Sequence, residues 1–208
     1  TSGDDNIAIG FNALPGNTTA GNNVAIGRNS MLNITTGQRN VALGSYSMAM
    51  NHDGNARESA DNVFIGYNSG GGSWANASSN YNTAVGANTM DAACNAATGN
   101  VALGYGALTS LTEGDGNVAL GMNTLEDLNT GTYNTAIGRE AIKNVTTGTR
   151  NIGLGLESGI TLTTGSYNTI IGSNADVGAN NHAYTTSIGY QAESENDFET
   201  SLGFGGAF

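Results

Sequence analysis

A five-residue phrase recurs along the chain at nearly constant spacing, and this repeat constrains the fold more than any other feature. Residues 117–121 read NVALG and residues 134–138 read NTAIG. A glycine closes each of twelve such phrases: Gly10, Gly27, Gly44, Gly66, Gly86, Gly104, Gly121, Gly138, Gly155, Gly172, Gly189 and Gly203. Successive closing glycines are separated by 17, 17, 22, 20, 18, 17, 17, 17, 17, 17 and 14 residues. A period of 17 therefore dominates, with three longer steps early and one shorter step at the end.

The phrase alternates like a short β-strand. The residue before each closing glycine is Ile, Leu or Val, and the residue two places earlier is always β-branched. A period of two places these residues on one face of a strand. We predict that this face is buried inside the coil and that the residue between them points outward. The predicted outward residues are Ala8, Ala25, Ala42, Phe64, Ala84, Ala102, Ala119, Ala136, Gly153, Ile170, Ser187 and Ser201.

A second short segment follows each closing glycine, with a small residue three places on and often Leu, Met or Ile next. We predict a second strand here, so that one repeat reads strand, glycine corner, strand, looser turn, glycine corner. A unit this short cannot bury its own apolar face, and the copies must therefore stack. The predicted fold is all-β, a parallel β-roll or β-solenoid of about twelve short coils, roughly 55 to 60 Å long.

The repeat leaves no room for a second domain. Only 11% of the residues are charged and 32 are Gly, and the apolar residues are evenly spread, so no segment has the composition of a linker. We predict a single repeat domain over residues 1–208, with insertions near 49–61 and 70–80. The fourth position before the closing glycine is Asn in ten of twelve copies, which predicts a ladder of stacked amides.

Charge and composition exclude several classes of function. The net charge is -11 with six Lys plus Arg, so there is no basic stripe for nucleic acid. No apolar run is long enough to insert into a membrane, and we expect any export signal or anchor to lie outside these residues. Cys94 is the only cysteine, which excludes an intrachain disulfide. No cofactor or metal motif is present, although the acidic run around Glu193 leaves Ca²⁺ open.

The strip of alanines predicted to point outward suggests a second buried face. A solitary rod is expected to carry charged or long polar side chains on an exposed sheet, which discourage pairing. Small apolar residues there instead indicate close packing against further copies of the chain. We therefore predict a homo-oligomer arranged around a cyclic axis.

The phrases NVAIGRNSM, NTAIGREAI and TSIGYQAESENDFETSLG resemble the head repeats of YadA-like trimeric autotransporter adhesins. The 17-residue variant with TTG is also similar to repeats of phage and phage-like tail fibres. The resemblance covers nearly the whole chain and implies a left-handed, trimeric β-roll that attaches bacteria or virus particles to surfaces. Most copies here are three residues longer than the autotransporter repeat, and no coiled-coil stalk is visible, so the class of fibre stays open.

Two groups of residues are candidate ligand-binding sites. The insertions supply His52, Asp53, Arg57 and Trp74 as polar and aromatic contacts on projecting loops. The alternative is a tolerated surface insertion, with Trp74 folded over the edge of the coil. The second group lies five residues before the closing glycines and includes Tyr81, Tyr133, Tyr167, Tyr184 and Phe198, with Arg39 and Arg150 in other copies. These side chains either grip a glycan or protein, or seal the rod and its contacts with other chains.

A pair of glutamates is the candidate for a catalytic site. Glu140 and Glu157 lie one period apart, at about the carboxylate separation of a retaining glycosidase. No His accompanies the pair, and Asn dominates the same position in other copies. We therefore expect a non-enzymatic, extracellular adhesin or receptor-binding fibre segment, on a bacterial cell surface or a virus-like tail fibre. Its partners are its own copies and a surface glycan, protein or abiotic surface. The alternatives are a tail-fibre enzyme that degrades polysaccharide and a purely structural spacer.

Overall fold

The computed structural model describes residues 3–49, 58–72, 74, 78–92 and 94–203. These residues form short strands joined by turns and corners, so the chain is all-β. The strands are β1 Ile7–Ile9, β2 Val24–Ile26, β3 Val41–Leu43, β4 Val63–Ile65, β5 Thr83–Val85, β6 Val101–Leu103, β7 Val118–Leu120, β8 Thr135–Ile137, β9 Ile152–Leu154, β10 Thr169–Ile171, β11 Asp176–Val177, β12 Thr186–Ile188, β13 Glu193–Ser194 and β14 Thr200–Leu202.

The phrase strands form one parallel sheet of twelve strands that follows the order of the chain, with β11 and β13 paired separately. Each residue pairs with its equivalent in the next coil, as Ala119 does with Ala136. The register is the same across the longest step, where Val41 pairs with Val63. Because each phrase strand pairs with the phrase strands of the preceding and the following coil, the chain is a β-solenoid. The predicted fold class is confirmed.

The closing glycines form the corner after each strand because no other residue fits there. Gly121 has φ of +138°, a region that L-residues rarely adopt. A Cβ at this position would lie 2.5 Å from the carbonyl oxygen of Gly138 in the next coil. Backbone approach between successive corners therefore requires glycine in this column.

The orientation predicted for the strands is wrong. The central residues point inward: Ala25, Ala102 and Ala136 have no exposed surface. The Ile, Leu, Val and Thr residues on either side point outward, and Ile137 is 44% exposed. The coil is narrow, and the apolar side chains of the second segment already fill it. Only a small central residue fits beside them in most coils.

Complementary volumes confirm how tightly the interior is filled. A Cβ on Gly70 would lie 2.6 Å from the ring of Phe64. The coils that have Ala at the central strand position instead of Phe have Leu, Met or Ile at the position equivalent to Gly70. Likewise, a Cβ on Gly159, at the position equivalent to Gly70, would lie 2.8 Å from Cδ1 of the central strand residue Ile170. The large and the small residue have exchanged places in these coils, so the total volume is kept.

The second segment of most coils is not a strand, which corrects that prediction. Within the described residues, strand geometry in this segment occurs only in β11 and β13. Elsewhere the second and fourth residues after the closing glycine adopt left-handed conformations, as Asn123 (φ 53°) and Leu125 (φ 51°) do. The coils still bond to each other here, since Leu125 N donates to the Ala141 carbonyl oxygen at 3.3 Å. The apolar side chains predicted in this segment are buried in the core: Leu14, Met31, Met48, Leu108, Leu125, Ile142, Ile34, Leu111, Leu128, Val145 and Leu162.

The predicted asparagine ladder is confirmed and lies inside the coil. Oδ1 of Asn117 accepts from the backbone N of Asn134 at 2.9 Å and from its Nδ2 at 3.1 Å. Nδ2 of Asn134 also donates to the Gly148 carbonyl oxygen at 2.9 Å. The side chain thus joins its own coil to the preceding one and to its own looser turn, and satisfies buried backbone groups at both places.

Candidate interaction surface

The outward-facing side of the twelve-stranded sheet is an apolar surface. We call the first and third residues of its strands the outer sheet face. Leu103 is 47% exposed and Ile188 is 38% exposed. The other large apolar residues of this face with similar exposure are Ile7, Ile9, Leu43, Val101, Ile137, Ile152 and Leu202. Sequence reasoning missed this surface because it assigned these side chains to the interior.

Exposed aromatic and aliphatic side chains extend the outer sheet face beyond the closing glycines. They occupy the position directly after the glycine: Phe11, Tyr67, Tyr105, Met122, Leu156 and Tyr190. Eleven strand spacings of about 4.8 Å give a length of about 53 Å, and a width of about 12 Å gives an area on the order of 600 Å². The largest apolar patch on a typical monomer is about 300–600 Å², so this surface is at the upper limit for a solitary chain.

Stacked side chains border the other margin of the outer sheet face, five residues before the closing glycines. We call Tyr133, Arg150, Tyr167, Tyr184 and Phe198 the aromatic ladder. The Tyr167 and Tyr184 rings are 4.8 Å apart and 6° from parallel, and the Tyr184 and Phe198 rings are 5.1 Å apart at 4°. The Arg150 guanidinium lies 5.4 Å from the ring centroids of both Tyr133 and Tyr167. The predicted stacking of this column is confirmed from Tyr133 to Phe198.

An ion pair occupies the same column nearer the N-terminus. Arg39 Nε and Nη2 donate to the two carboxylate oxygens of Asp61 at 2.6 and 2.8 Å. This bidentate bond lowers the pKa of Asp61 and raises the pKa of Arg39. Tyr81 follows in the next coil and is 65% exposed. Gly99 and Gly116 then separate Tyr81 from the aromatic ladder, so the structure brings together Tyr133, Tyr167 and Tyr184 but not Tyr81.

The insertions do not place Trp74 on the surface. Trp74 is 1% exposed, and its ring packs against Phe64 with a centroid distance of 5.5 Å at an angle of 72°. The prediction of Trp74 as a ligand contact is therefore wrong: its large apolar ring fills the coil interior rather than projecting from a loop. His52, Asp53 and Arg57 lie outside the described residues.

The acidic residues that are candidates for catalysis or for Ca²⁺ binding form ion pairs or hydrogen bonds with other groups of the same chain. Arg139 Nη2 lies 2.7 Å from Glu157 Oε1, and Arg139 Nε lies 3.7 Å from Glu140 Oε1. Arg139 thus bridges the two carboxylates of the candidate catalytic pair. In the last coil, Glu199 Oε2 accepts backbone N–H groups of Glu195 and Asn196 at 2.7 and 2.8 Å. The described residues contain no group of three His, Cys, Asp or Glu side chains that are arranged to hold a metal ion.

Comparison with known proteins provides no relative for the chain. No protein-family model matches it, and neither the curated proteins nor the solved structures give a significant match. Within the described ranges, no helix has the length and apolarity needed to cross a membrane.

Proposed function

We propose that the chain is a non-enzymatic segment of an extracellular fibre, in which three copies pack side by side and present surface-attachment sites. The observation that carries this proposal is the exposed outer sheet face. Exposed sheets of solitary proteins usually carry charged side chains that oppose association. Here the outward positions of the sheet are Ile, Leu, Val and Thr in every phrase strand.

The size of the outer sheet face suits an interface between copies. A stable interface buries about 800 Å² on each partner, and the outer sheet face with its flanking residues approaches that area. Cyclic assembly is the commonest arrangement of identical subunits, and the resemblance to YadA-like heads favours three copies. A long, straight row of like contacts suits side-by-side packing of parallel rods.

Assembly of identical copies provides a physical basis for attachment. Each ligand site would occur three times around the rod axis, so weak individual sites would act together on a surface. Multivalent binding of this kind raises the apparent affinity by about 10²- to 10⁴-fold when the geometry allows simultaneous contact. A rigid rod with fixed distances between sites meets that condition.

Sedimentation equilibrium of the purified chain tests the proposed assembly. We expect a mass three times that of the 21.0 kDa chain. A double variant, Leu103→Lys with Ile137→Lys, places two charges on the outer sheet face and is expected to sediment as a folded monomer. In free solution, the monomeric variant should then bind to cell or glycan surfaces more weakly than the assembled protein. A wild-type chain that is monomeric at micromolar concentration would contradict the proposal.

A further inference from the structure

The aromatic ladder is not needed to form the corner on which it sits. All five of its residues have left-handed backbones, with φ between 56° and 63°. Gly99 and Gly116 form the same corner in two other coils with φ of 70° and 64°. A left-handed conformation costs a non-glycine residue about 1–2 kcal/mol. Glycine would therefore adopt the backbone conformation of this corner at a lower conformational free energy than the ladder residues do. The ladder side chains are expected to compensate for this cost through the groups that they contact.

Arg150 lies between two rings of the ladder and has no carboxylate partner among the described residues. Its guanidinium carbon is 5.4 Å from the ring centroids of Tyr133 in the preceding coil and Tyr167 in the following coil, and Nη1 donates to the Tyr167 hydroxyl at 2.9 Å. Among the described residues, Arg39, Arg139 and Lys143 each contact an Asp or Glu, whereas Arg28 and Arg150 do not. Of these two, only Arg150 lies near two rings.

The arrangement leaves a preorganised anion site at the exposed edge of the ladder. A guanidinium has five N–H donors, and only one is used by a side chain here. Because the flanking rings fix its plane, little side-chain entropy remains to be lost on binding a carboxylate in the bidentate geometry that Arg favours. Tyr133 lies one coil before Arg150, and Tyr167 and Tyr184 lie one and two coils after it. A tyrosine hydroxyl can both donate and accept a hydrogen bond.

We propose that the aromatic ladder binds an acidic polysaccharide, with a sugar carboxylate on Arg150 and neighbouring sugar hydroxyls on the tyrosine hydroxyls. A polymer of repeating sugars meets a site with one ladder side chain at every coil, of which three carry hydroxyls, and the ring edges offer apolar contact to the sugar carbons. An acidic peptide would use the guanidinium but would leave most of the tyrosine hydroxyls without partners. The inference names the ligand for the proposed attachment role and rests on that role, but not on the number of copies.

Titration with a linear oligomer of galacturonic acid, followed by calorimetry or NMR, tests this site. We expect binding that weakens with added salt and that falls by about tenfold or more in Arg150→Gln. Arg28→Gln is the matched control, because Arg28 is also exposed, has no carboxylate partner and lies 6.0 Å from a single ring, that of Tyr46. The control is expected to bind like the wild type. A neutral glucan of equal length should bind at least about tenfold more weakly than the acidic oligomer.

Three results of the titrations would overturn the proposal: equal binding by Arg150→Gln, no binding by the wild type, or equally tight binding of an oligomer of glutamate, which would identify an acidic peptide site. Sedimentation of the same samples separates this inference from the proposed assembly. A monomeric wild type that binds the oligomer supports the ladder site and contradicts the assembly. An Arg150→Gln variant with altered mass would show that the ladder is a subunit contact, and would also overturn the proposal.

Discussion

The amide oxygen of Asn117 accepts two hydrogen bonds from Asn134, one from its backbone N–H and one from its side chain. The equivalent pair links Asn134 to Asn151 at 2.9 and 3.1 Å. A continuous row of such bonds runs through the buried side of the sheet, and each amide is both donor and acceptor. The strands are only three residues long, so this row contributes much of what holds successive coils in register.

Replacement of Asn134 by Ala is expected to destabilise the rod severely. The change leaves the backbone N–H of Asn151 and the Gly148 carbonyl oxygen without their partner, and it removes one of the two hydrogen bonds to the Asn117 oxygen. Each buried polar group left without a partner costs about 1–3 kcal/mol, so we expect a loss of about 3 kcal/mol or more. Chemical denaturation measures it, and Asn181→Ala on the exposed rim is the control. A loss equal to that of the control would refute this role of the ladder.

Neighbouring residues of one strand are expected to respond in opposite ways. Ala136 faces the filled interior, so Ala136→Leu should lower the free energy of unfolding by about 1–3 kcal/mol through overpacking. Ile137 lies on the outer sheet face, so Ile137→Lys should leave the coil folded and weaken association of copies. Circular dichroism and sedimentation distinguish the two effects. Thr147→Lys, at an exposed position between the second segment and the next strand, is the control and should change neither the stability nor the association. The reverse pattern at Ala136 and Ile137 would support the strand orientation predicted from the sequence.

The exchange of volumes at Phe64 and Gly70 predicts strong coupling between two substitutions. Phe64→Ala alone leaves a cavity and should cost about 3–5 kcal/mol. Gly70→Met alone brings a side chain into the Phe64 ring and should also destabilise. The double variant reproduces the pair Ala84 and Met90 of the next coil, so its loss should be smaller than the sum by about 1 kcal/mol or more. Additive losses in denaturant unfolding would contradict the packing.

The thiol of Cys94 is expected to be inert while the protein is folded. It is fully buried, and burial raises its pKa to about 12. The reactive thiolate is then scarce at about pH 8, so alkylation by iodoacetamide should be about three orders of magnitude slower than in the denatured chain. Mass spectrometry of timed samples measures the rates. Fast labelling under native conditions would show that this part of the coil opens readily.

The carboxyl of Asp176 predicts a distinct pH dependence of stability. Burial raises its pKa from the ordinary 3.8, although Thr161 and Val177 donate to it. The folded-state pKa therefore lies above the unfolded one, and stability should fall as pH rises from the unfolded value through the folded value. Asp176→Asn lacks this loss, so its stability relative to the wild type should increase over the same range. Denaturation midpoints at several pH values check the trend.

The repeat in the sequence determined the coil, its parallel sheet and its asparagine ladder, but not which face of the strand is inside. A period of two identifies residues that share a face, and both faces here are apolar, so polarity did not separate Ala25 from Ile26. Two signals were present. Asn23, which belongs to the predicted asparagine ladder, shares the parity of Ala25, and Phe64 and Gly70 change size together.

The candidate site was predicted in part. The column from Tyr133 to Phe198 could be read from the spacing, because equivalent positions must stack in a solenoid. The burial of Trp74 could not, since it depends on the volume around Phe64 and on an insertion without a repeat to align it. The outer sheet face escaped prediction for the same reason as the strand orientation.

The coils keep one register although 14 to 22 residues separate successive closing glycines. The asparagine and glycine columns fix each coil on the next, and the extra residues are accommodated between the second segment and the following strand. Foreign peptides of different lengths could therefore be grafted between the second segment and the following strand without changing the axial distance between neighbouring coils. The molecule would then hold grafted epitopes at defined positions along its axis, separated by multiples of the coil spacing.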